Sequence, residues 1–365
     1  MSFSFSSLIR LLVLLAIGST MVAVGLARLD PTRTHWRFLK PTKYSNVSEY
    51  FLDVTDRTPR WLDAESGRVE PFPISDDDVL ETASCAPWAN EQGQTQAVGR
   101  WSSRTKDGPM SMSNDFGLAR YTFPGGEMID HVSTEIVPVT PPCWFPGTRA
   151  RVLFAGGDGV LYHFAFESDR GPGSSAPPIK AADDHPGTIA WKCKQPGDGS
   201  VFISDVTWPE DPKMRGALVV SLRQQVTMPT GSKAFSRTQL WWLKLNNAGT
   251  QIVDAGRLVR TDPDGSHGEE VDERSPSVAT RPDGSLMLAY LGQRPGQKGW
   301  DLRVAPIAIE QDRKVPVVLE SEAKLLGEQC LPARPSFSPD GRWVNVIVGP
   351  SSIESKVARH STAGL

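Results

Sequence analysis

Carboxylates are the side chains of this sequence that could do chemistry, because hydrolysis of a glycosidic bond uses two of them as acid and base. Asp205 is the best placed, since it opens the segment Asp205-Val-Thr-Trp208, which we interpret as the innermost strand of a repeat. Two more acids, Glu210 and Asp211, follow within a turn. The other carboxylates considered are Asp53, Asp56, Asp76, Asp77 and Asp78. An acidic run is more typical of a solvated loop, so Asp205 alone is kept as a catalytic candidate.

The sequence contains no pattern typical of a metal or cofactor site. No cysteine pair has CxxC spacing and no histidine pair has metal-ligand spacing. Phosphate-binding loops and nucleophile elbows are also missing. The glycine-rich segment 154–159 lies in a hairpin and not ahead of a helix, which predicts a turn and not a phosphate cradle. We therefore expect no metal and no cofactor. The scattered histidines are His131, His163, His185 and His267.

Two segments of similar pattern indicate how these side chains are positioned. Segment 334–348 (RPSFSPDGRWVNVIV) alternates polar and apolar residues, turns at Pro-Asp-Gly and continues as a β-branched and aromatic strand. Segment 276–290 (PSVATRPDGSLMLAY) has the same order. Proline fixes its φ, aspartate bonds the backbone two residues on, and glycine takes a positive φ without steric cost. Each segment is therefore predicted to be a strand, a tight turn and a strand.

These two Pro-Asp-Gly segments resemble the WD40-like repeat of TolB-type β-propellers. The resemblance covers about a tenth of the chain. It implies a non-catalytic propeller that faces the periplasm and engages protein partners. The sequence departs from TolB itself, because it lacks room for the α/β domain that precedes that propeller and carries an apparent anchor. These departures leave a Tol–Pal role in doubt, and no binding residue is carried over.

The body of the chain is predicted to be all-β, with no helix of ten or more residues that has an apolar face. Five segments open with a turn residue and an apolar or aromatic residue, and successive openings are spaced at a similar interval, which indicates radial repetition. We predict a β-propeller of about five four-stranded blades, or six if residues 50–74 begin another. No outer strands are predicted after the fifth opening, and strands within 60–70 are predicted to complete that blade and close the ring. The openings end at Trp88, Trp144, Trp208, Val278 and Phe337.

The predicted repeat indicates where the cysteines and tryptophans lie in the blades. Cys85 and Cys143 are both predicted at the start of an innermost strand, in adjacent blades. A disulfide between them is one alternative for an exported domain, and buried free thiols are the alternative that we favour. Trp88, Trp144 and Trp208 recur at equivalent positions, which favours packing between blades over sugar stacking. Loops are predicted at 103–115, 168–187 and 226–237.

Residues 11–26 form the longest apolar run, flanked by Arg10 and Arg28. Residues 1–27 are predicted to be a retained membrane anchor or a cleaved signal peptide. Residues 28–48 are interpreted as a basic linker, and 49–365 as the propeller. The net charge of -3 gives no basic signal for nucleic acid. We expect a membrane-anchored protein with an exported, periplasmic or extracellular domain, or alternatively a secreted one.

The sequence leaves two functions open. The first is a non-catalytic module of the cell envelope that binds or scaffolds a protein partner. The alternative is a glycan-acting, five-bladed propeller hydrolase. Glycosidases of that kind use three carboxylates around the central funnel, and an acid on the first inner strand of the ring is not found here.

Overall fold

The computed structural model describes residues 49–365 except 53–58, 63–68, 76, 87–94, 105–111, 135, 146–150, 167–186, 197–199, 210, 215, 230, 261–270, 339 and 350–355. The predicted anchor and basic linker lie outside the described residues. None of the helices in the described ranges is long and apolar enough to cross a membrane. The described part is nearly all β, and its helical content there is limited to two 3-10 turns, Pro212–Met214 and Glu320–Glu322. The all-β prediction is confirmed.

The first strands form a sheet of their own, which consists of β1 (Glu49–Leu52), β2 (Pro59–Leu62) and β3 (Val69–Pro71). β2 pairs with β1 on one side and with β3 on the other. We predicted instead that strands in this region complete the last blade. No ladder among the described residues joins these strands to the last sheet, so the structure differs from the predicted closure. The backbone of β2 is instead hydrogen-bonded to the strands that precede and follow it in sequence.

Repeat A is a four-stranded antiparallel meander of β4 (Asp78–Cys85), β5 (Thr95–Arg104), β6 (Met112–Phe123) and β7 (Met128–Ser133). Repeat B contains β8 (Cys143–Trp144), β9 (Arg151–Ala155) and β10 (Leu161–Ala165). A short strand, β11 (Ala190–Trp191), leads from repeat B to the next sheet. Each strand in A and B pairs with its sequence neighbour, as expected for consecutive propeller blades.

Repeat C contains β12 (Val201–Thr207), β13 (Ala217–Thr227), β15 (Gln239–Leu245) and β16 (Gln251–Arg257), and β14 (Lys233–Phe235) forms a hairpin with the end of β13. β17 (Val259–Arg260) follows repeat C. Repeat D contains β18 (Asp272–Thr280), β19 (Leu286–Gln293), β20 (Trp300–Ile309) and β21 (Pro316–Leu319). β11 and β17 each pair in parallel with the outer strand of the following repeat, β16 and β21 respectively.

Repeat E contains β23 (Ser336–Phe337), β24 (Trp343–Val348) and β25 (Lys356–Ser361), which follow β22 (Lys324–Cys330). β22 pairs with β20 and, at Cys330, with β24, so it joins repeats D and E into one sheet. The prediction that no outer strand follows the fifth opening is wrong, because β25 pairs along the whole of β24. The predicted loop at 226–237 is also partly strand, because it contains β14.

The cores lie between successive repeats, because alternate side chains of each strand point to opposite sheet faces. In repeat B, Leu153 packs with Val220 of repeat C, whereas Val152 packs with Leu118 of repeat A. The same alternation places Leu288 of repeat D against repeat C and the neighbouring Met287 against repeat E. Every repeat from B to D is therefore covered on both faces. Because the repeats stack face to face, their inner strands lie beside one another.

The Pro-Asp-Gly turns form as predicted wherever they are described. Gly284 has φ +77° and Gly341 has φ +67°, in the left-handed region that glycine occupies without a Cβ clash. Ser336–Phe337 and Trp343–Val348 flank the second turn, as the sequence pattern indicated.

Candidate functional site

The inner strands of repeats B, C and D and the segment before repeat E meet around Asp205. Asp205 lies within β12 and does not open it, beside a bulge that shifts the register between Ile203 and Asp205. In repeat D, a second irregularity places Ser275 at φ +54°, a conformation that non-glycine residues adopt only at a cost. Arg334 comes from the segment just before β23. We call Asp205, Val206, Ser221, Ser275 and Arg334 the Asp205 cluster.

Arg334 and Asp205 form a buried ion pair within this cluster. Arg334 Nη2 donates to Asp205 Oδ1, and the two side chains are 3% and 10% exposed. The same nitrogen donates to the carbonyl oxygen of Val206 at 2.9 Å, and the Val206 N–H donates to Asp205 Oδ1 at 2.8 Å. One arginine therefore binds both the carboxylate and the backbone of β12. Charge-assisted bonds of this kind are the stronger class of hydrogen bond.

Neighbouring strands add further polar contacts to the cluster. The Ser275 side chain hydrogen-bonds to Asp205, and the Ser275 N–H donates to Ser221 Oγ at 3.2 Å. From repeat B, Cys143 Sγ donates to the Val206 carbonyl at 3.0 Å. Burial raises the pKa of the Asp205 carboxyl, whereas Arg334, Val206 N–H and Ser275 act to lower it. These donors are the compensation that a buried carboxylate requires.

The contacts that the structure gives Asp205 are with an arginine, a serine and a backbone N–H. A glycosidase acid–base pair needs a second carboxyl group close enough to share the reaction, and none of the groups that shift the pKa of Asp205 is a carboxylate. Within the described ranges, no three His, Cys, Asp or Glu side chains are grouped so as to hold a metal ion. The contacts of the described cluster therefore connect repeats C, D and E.

A second buried carboxylate, Glu273, bridges repeats C and D. Its Oε2 accepts from the Leu240 N–H at 2.9 Å, and its Oε1 pairs with Arg257 Nη2 at 3.3 Å. Burial raises the pKa of Glu273 to about 7, against the opposing effect of Arg257 and the Leu240 N–H. Sequence reasoning did not consider Glu273, because neither its neighbours nor its spacing distinguish it from a surface acid.

The other predicted acids are dispersed. Asp211 accepts from Thr280 Oγ1 at 2.6 Å and from the Lys213 N–H at 2.8 Å, which ties the start of a 3-10 turn to β18. Asp78 accepts from Trp101 Nε1 at 2.7 Å, and Asp77 is exposed. None of these three is joined to the Asp205 cluster by a hydrogen bond that the structure gives it. Asp53, Asp56, Asp76 and Glu210 lie outside the described residues.

The predicted aromatic residues that the structure describes pack between repeats, and the glycine-rich segment forms a turn. Trp144 and Trp208 are buried, and the Trp208 ring lies 4.5 Å from that of Phe145, which agrees with packing between repeats. Segment 154–159 is the end of β9 followed by a turn, as predicted. His131 is exposed beside Trp101, and His163 lies in β10. Trp88, His185 and His267 lie outside the described residues.

Cys85 and Cys143 are buried free thiols in this structure. Cys85 ends β4 and does not begin an innermost strand, and it packs in the core of repeat A. Cys143 begins β8 and packs between repeats B and C. The two thiols therefore belong to different cores, and Cys143 uses its hydrogen on Val206.

Several solved structures resemble this chain at low sequence identity. A protein of unknown function from Dyadobacter fermentans is 11% identical, with a TM-score of 0.53 over 90% of this chain and 94% of that one. An endo-arabinase from Bacteroides thetaiotaomicron is also 11% identical, with a TM-score of 0.39 over 90% and 93%. A mutant alpha-L-arabinanase from Cellvibrio cellulosa is 13% identical, with a TM-score of 0.41 over 78% and 97%. No protein-family model and no curated protein sequence matches the chain. At these identities the likeness concerns the fold alone.

Proposed function

We propose that this protein is a non-catalytic β-propeller of five blades, repeats A to E, that binds a protein partner in the cell envelope. The observation that carries the proposal is the set of hydrogen bonds made by the buried Asp205 carboxylate. Its carboxylate accepts bonds from Arg334 and the Val206 N–H, so it serves to join repeats and does not serve as an acid or base. The stacking of repeats around their inner strands supports a propeller, and the two Pro-Asp-Gly turns support the TolB-type relationship.

The envelope location rests on residues 11–26, which are mostly apolar and close to the length that a membrane-spanning helix needs. With residues 28–48 as a linker, the repeats would stand outside the membrane as an exported domain. A rigid stack with loops at its ends is a common platform for recognition, because loops carry binding residues while the scaffold holds them in place.

Capture by the full chain tests the proposal. The protein is solubilised with its N-terminal segment, immobilised, and exposed to an envelope extract of the source organism after chemical crosslinking. We expect one protein retained in a fixed stoichiometric ratio, and retained equally by the D205N variant after its folding is verified. Retention of polysaccharide with no protein would overturn the proposal.

Glycan hydrolysis is the second candidate, and Glu273 is the observation in its favour. A carboxyl group with a pKa of about 7 has the proton affinity that suits a general acid near neutral pH. Against this role, Glu273 is 4% exposed and bonded to the Leu240 N–H and Arg257. An E273Q variant that abolishes release of reducing sugar, with the fold intact, would establish this alternative.

A further inference from the structure

A surface groove of about 530 Å³ lies where the turns of repeats D and E meet the final residues of the chain. Asp283 and Arg342, next to the glycines of the two Pro-Asp-Gly turns, line it together with Trp343. The recurring sequence motif therefore builds a concave surface as well as two hairpins. A volume of this size falls within the range typical of small-molecule sites.

The base of the groove is fixed by hydrogen bonds to the backbone. Arg281 Nη1 donates to the Leu365 carbonyl at 2.9 Å, and Arg281 Nη2 donates to the Thr362 carbonyl. The buried Thr362 Oγ1 donates in turn to the Gly341 carbonyl at 2.7 Å. The turn of repeat E and residues 362–365 are thus held together, and the groove exists before any ligand arrives.

Trp343 gives the groove an aromatic wall. The side chain is 38% exposed, although most tryptophans described in this structure are used in packing. The guanidinium of Arg359 on β25 lies 4.7 Å from the indole ring, close enough for a cation–π contact that restrains the ring orientation. An exposed, pre-oriented aromatic ring offers contact area at a small entropic cost on binding.

The charges at the groove are balanced. Arg281, Arg342 and Asp283 line the groove. Asp340 is not part of the lining, but its Oδ2 lies 3.5 Å from Arg342 Nε and offsets that charge. The Ser285 N–H and hydroxyl both donate to Asp283 Oδ1, which holds the pKa of that exposed carboxyl below its usual value and keeps it ionised. Arg281 is already bonded to backbone oxygens and Arg342 faces Asp340, so the groove offers little net attraction to an anion or a cation and favours an uncharged ligand.

We propose that this groove binds a neutral saccharide of one or two rings. The apolar C–H face of a sugar ring packs on the indole of Trp343, while ring hydroxyls donate to Asp283 and accept from Arg342. A proline-rich peptide fits less well, because grooves for such peptides are lined by several aromatic rings, and Trp343 is the one aromatic side chain lining this groove among the described residues. The inference is independent of the proposed protein partner and survives if that proposal fails.

The test uses the full chain in a detergent without a sugar headgroup. Cellobiose, maltose, chitobiose and arabinobiose are titrated up to about 50 mM and followed by saturation-transfer NMR and calorimetry. We expect at least one to bind with a dissociation constant on the order of 1 mM. W343A should weaken that binding about tenfold, in line with a contact of roughly 1.4 kcal/mol, and D283N should weaken it about threefold.

The matched control is F235A, which removes an aromatic side chain of similar exposure that does not line the groove. F235A should bind as the wild type does. If W343A does not fold, W343F and D283N carry the test, because both change the groove and leave the strand pattern intact. Three results overturn the inference: no disaccharide binds, binding is unchanged in both W343 and D283 variants, or a proline-rich decapeptide binds through Trp343 and no disaccharide does.

Discussion

Arg334 donates to the carboxylate of Asp205 across 129 positions of sequence, and both side chains are buried. The ion pair connects the segment before repeat E to the inner strand of repeat C. Removing one member of a buried pair leaves the other charge without its partner, which is more costly than replacing both.

R334M should destabilise the protein by about 3–5 kcal/mol, because the Asp205 carboxylate stays buried without its strongest donor. The double variant R334M/D205L should recover part of that loss, since no buried charge remains. Urea unfolding of the single and double variants measures the coupling free energy. Equal stability of R334M and the wild type would show that the pair is not formed in solution.

Glu273 should make the protein more stable as the pH falls from about 7 to about 4.5. Burial raises its pKa from 4.5 to about 7 in the folded state, so the folded protein holds a proton that the unfolded chain releases. Stability from this group is therefore present below pH 4.5 and lost as the pH rises through 7. The full effect is roughly 3 kcal/mol, since each tenfold difference in proton affinity is worth about 1.4 kcal/mol.

E273Q should reduce this pH dependence, measured as the free energy of unfolding at several pH values. Part of the dependence should persist, because burial also raises the pKa of Asp205. D283N is the control, since that carboxyl is exposed and its pKa is lowered. A stability profile of E273Q that parallels the wild type would contradict the assignment.

L288A should cost about 2–5 kcal/mol, because Leu288 is fully buried between repeats C and D and its truncation leaves a cavity. L325A removes the same atoms from a side chain that is 50% exposed on β22 and should cost less than about 0.5 kcal/mol. Chemical denaturation of both variants makes the comparison. Similar losses would mean that the repeats do not stack as the structure has them.

Native protein should react slowly with a thiol reagent, mainly at Cys193, which is only partly buried. Burial raises the pKa of Cys193 as well, and it raises that of Cys330 to about 11, so neither is an activated thiolate. In denaturant without reductant, all four cysteines should be alkylated and counted by mass spectrometry. Protection of Cys85 and Cys143 alone would establish the disulfide that the sequence left open.

Much of the repeat architecture could be predicted, because strands and turns are determined by local sequence patterns. The strand Gln239–Leu245, for example, is an apolar and aromatic run that ends at an Asn-Asn-Ala-Gly turn. The predicted openings coincide with the first strands of repeats B and E. In repeats A, C and D they fall in the second half of the first strand or just past it. β25 was missed because Lys356–Ser361 is polar and mostly half-buried, which gives it little hydrophobic alternation.

The candidate site could be predicted only in part. Asp205 was singled out from its place before Trp208, but its partner Arg334 has no local signal that connects it to a strand 129 residues earlier. Ser275 is equally hidden, because its role depends on a bulge that the pairing of β18 and β19 creates. Contacts between repeats depend on how the repeats stack in three dimensions. The sequence shows which residue types are present, but it does not show which residues will contact one another.

Release of reducing sugar from arabinan, xylan and peptidoglycan by the full chain, with D205N and E273Q alongside, tests whether the propeller is non-catalytic. We expect the wild-type protein to release no more sugar than either variant, because its buried carboxylates join repeats. Turnover by the wild type that is abolished in folded D205N or E273Q would contradict a non-catalytic role and identify the protein as a hydrolase.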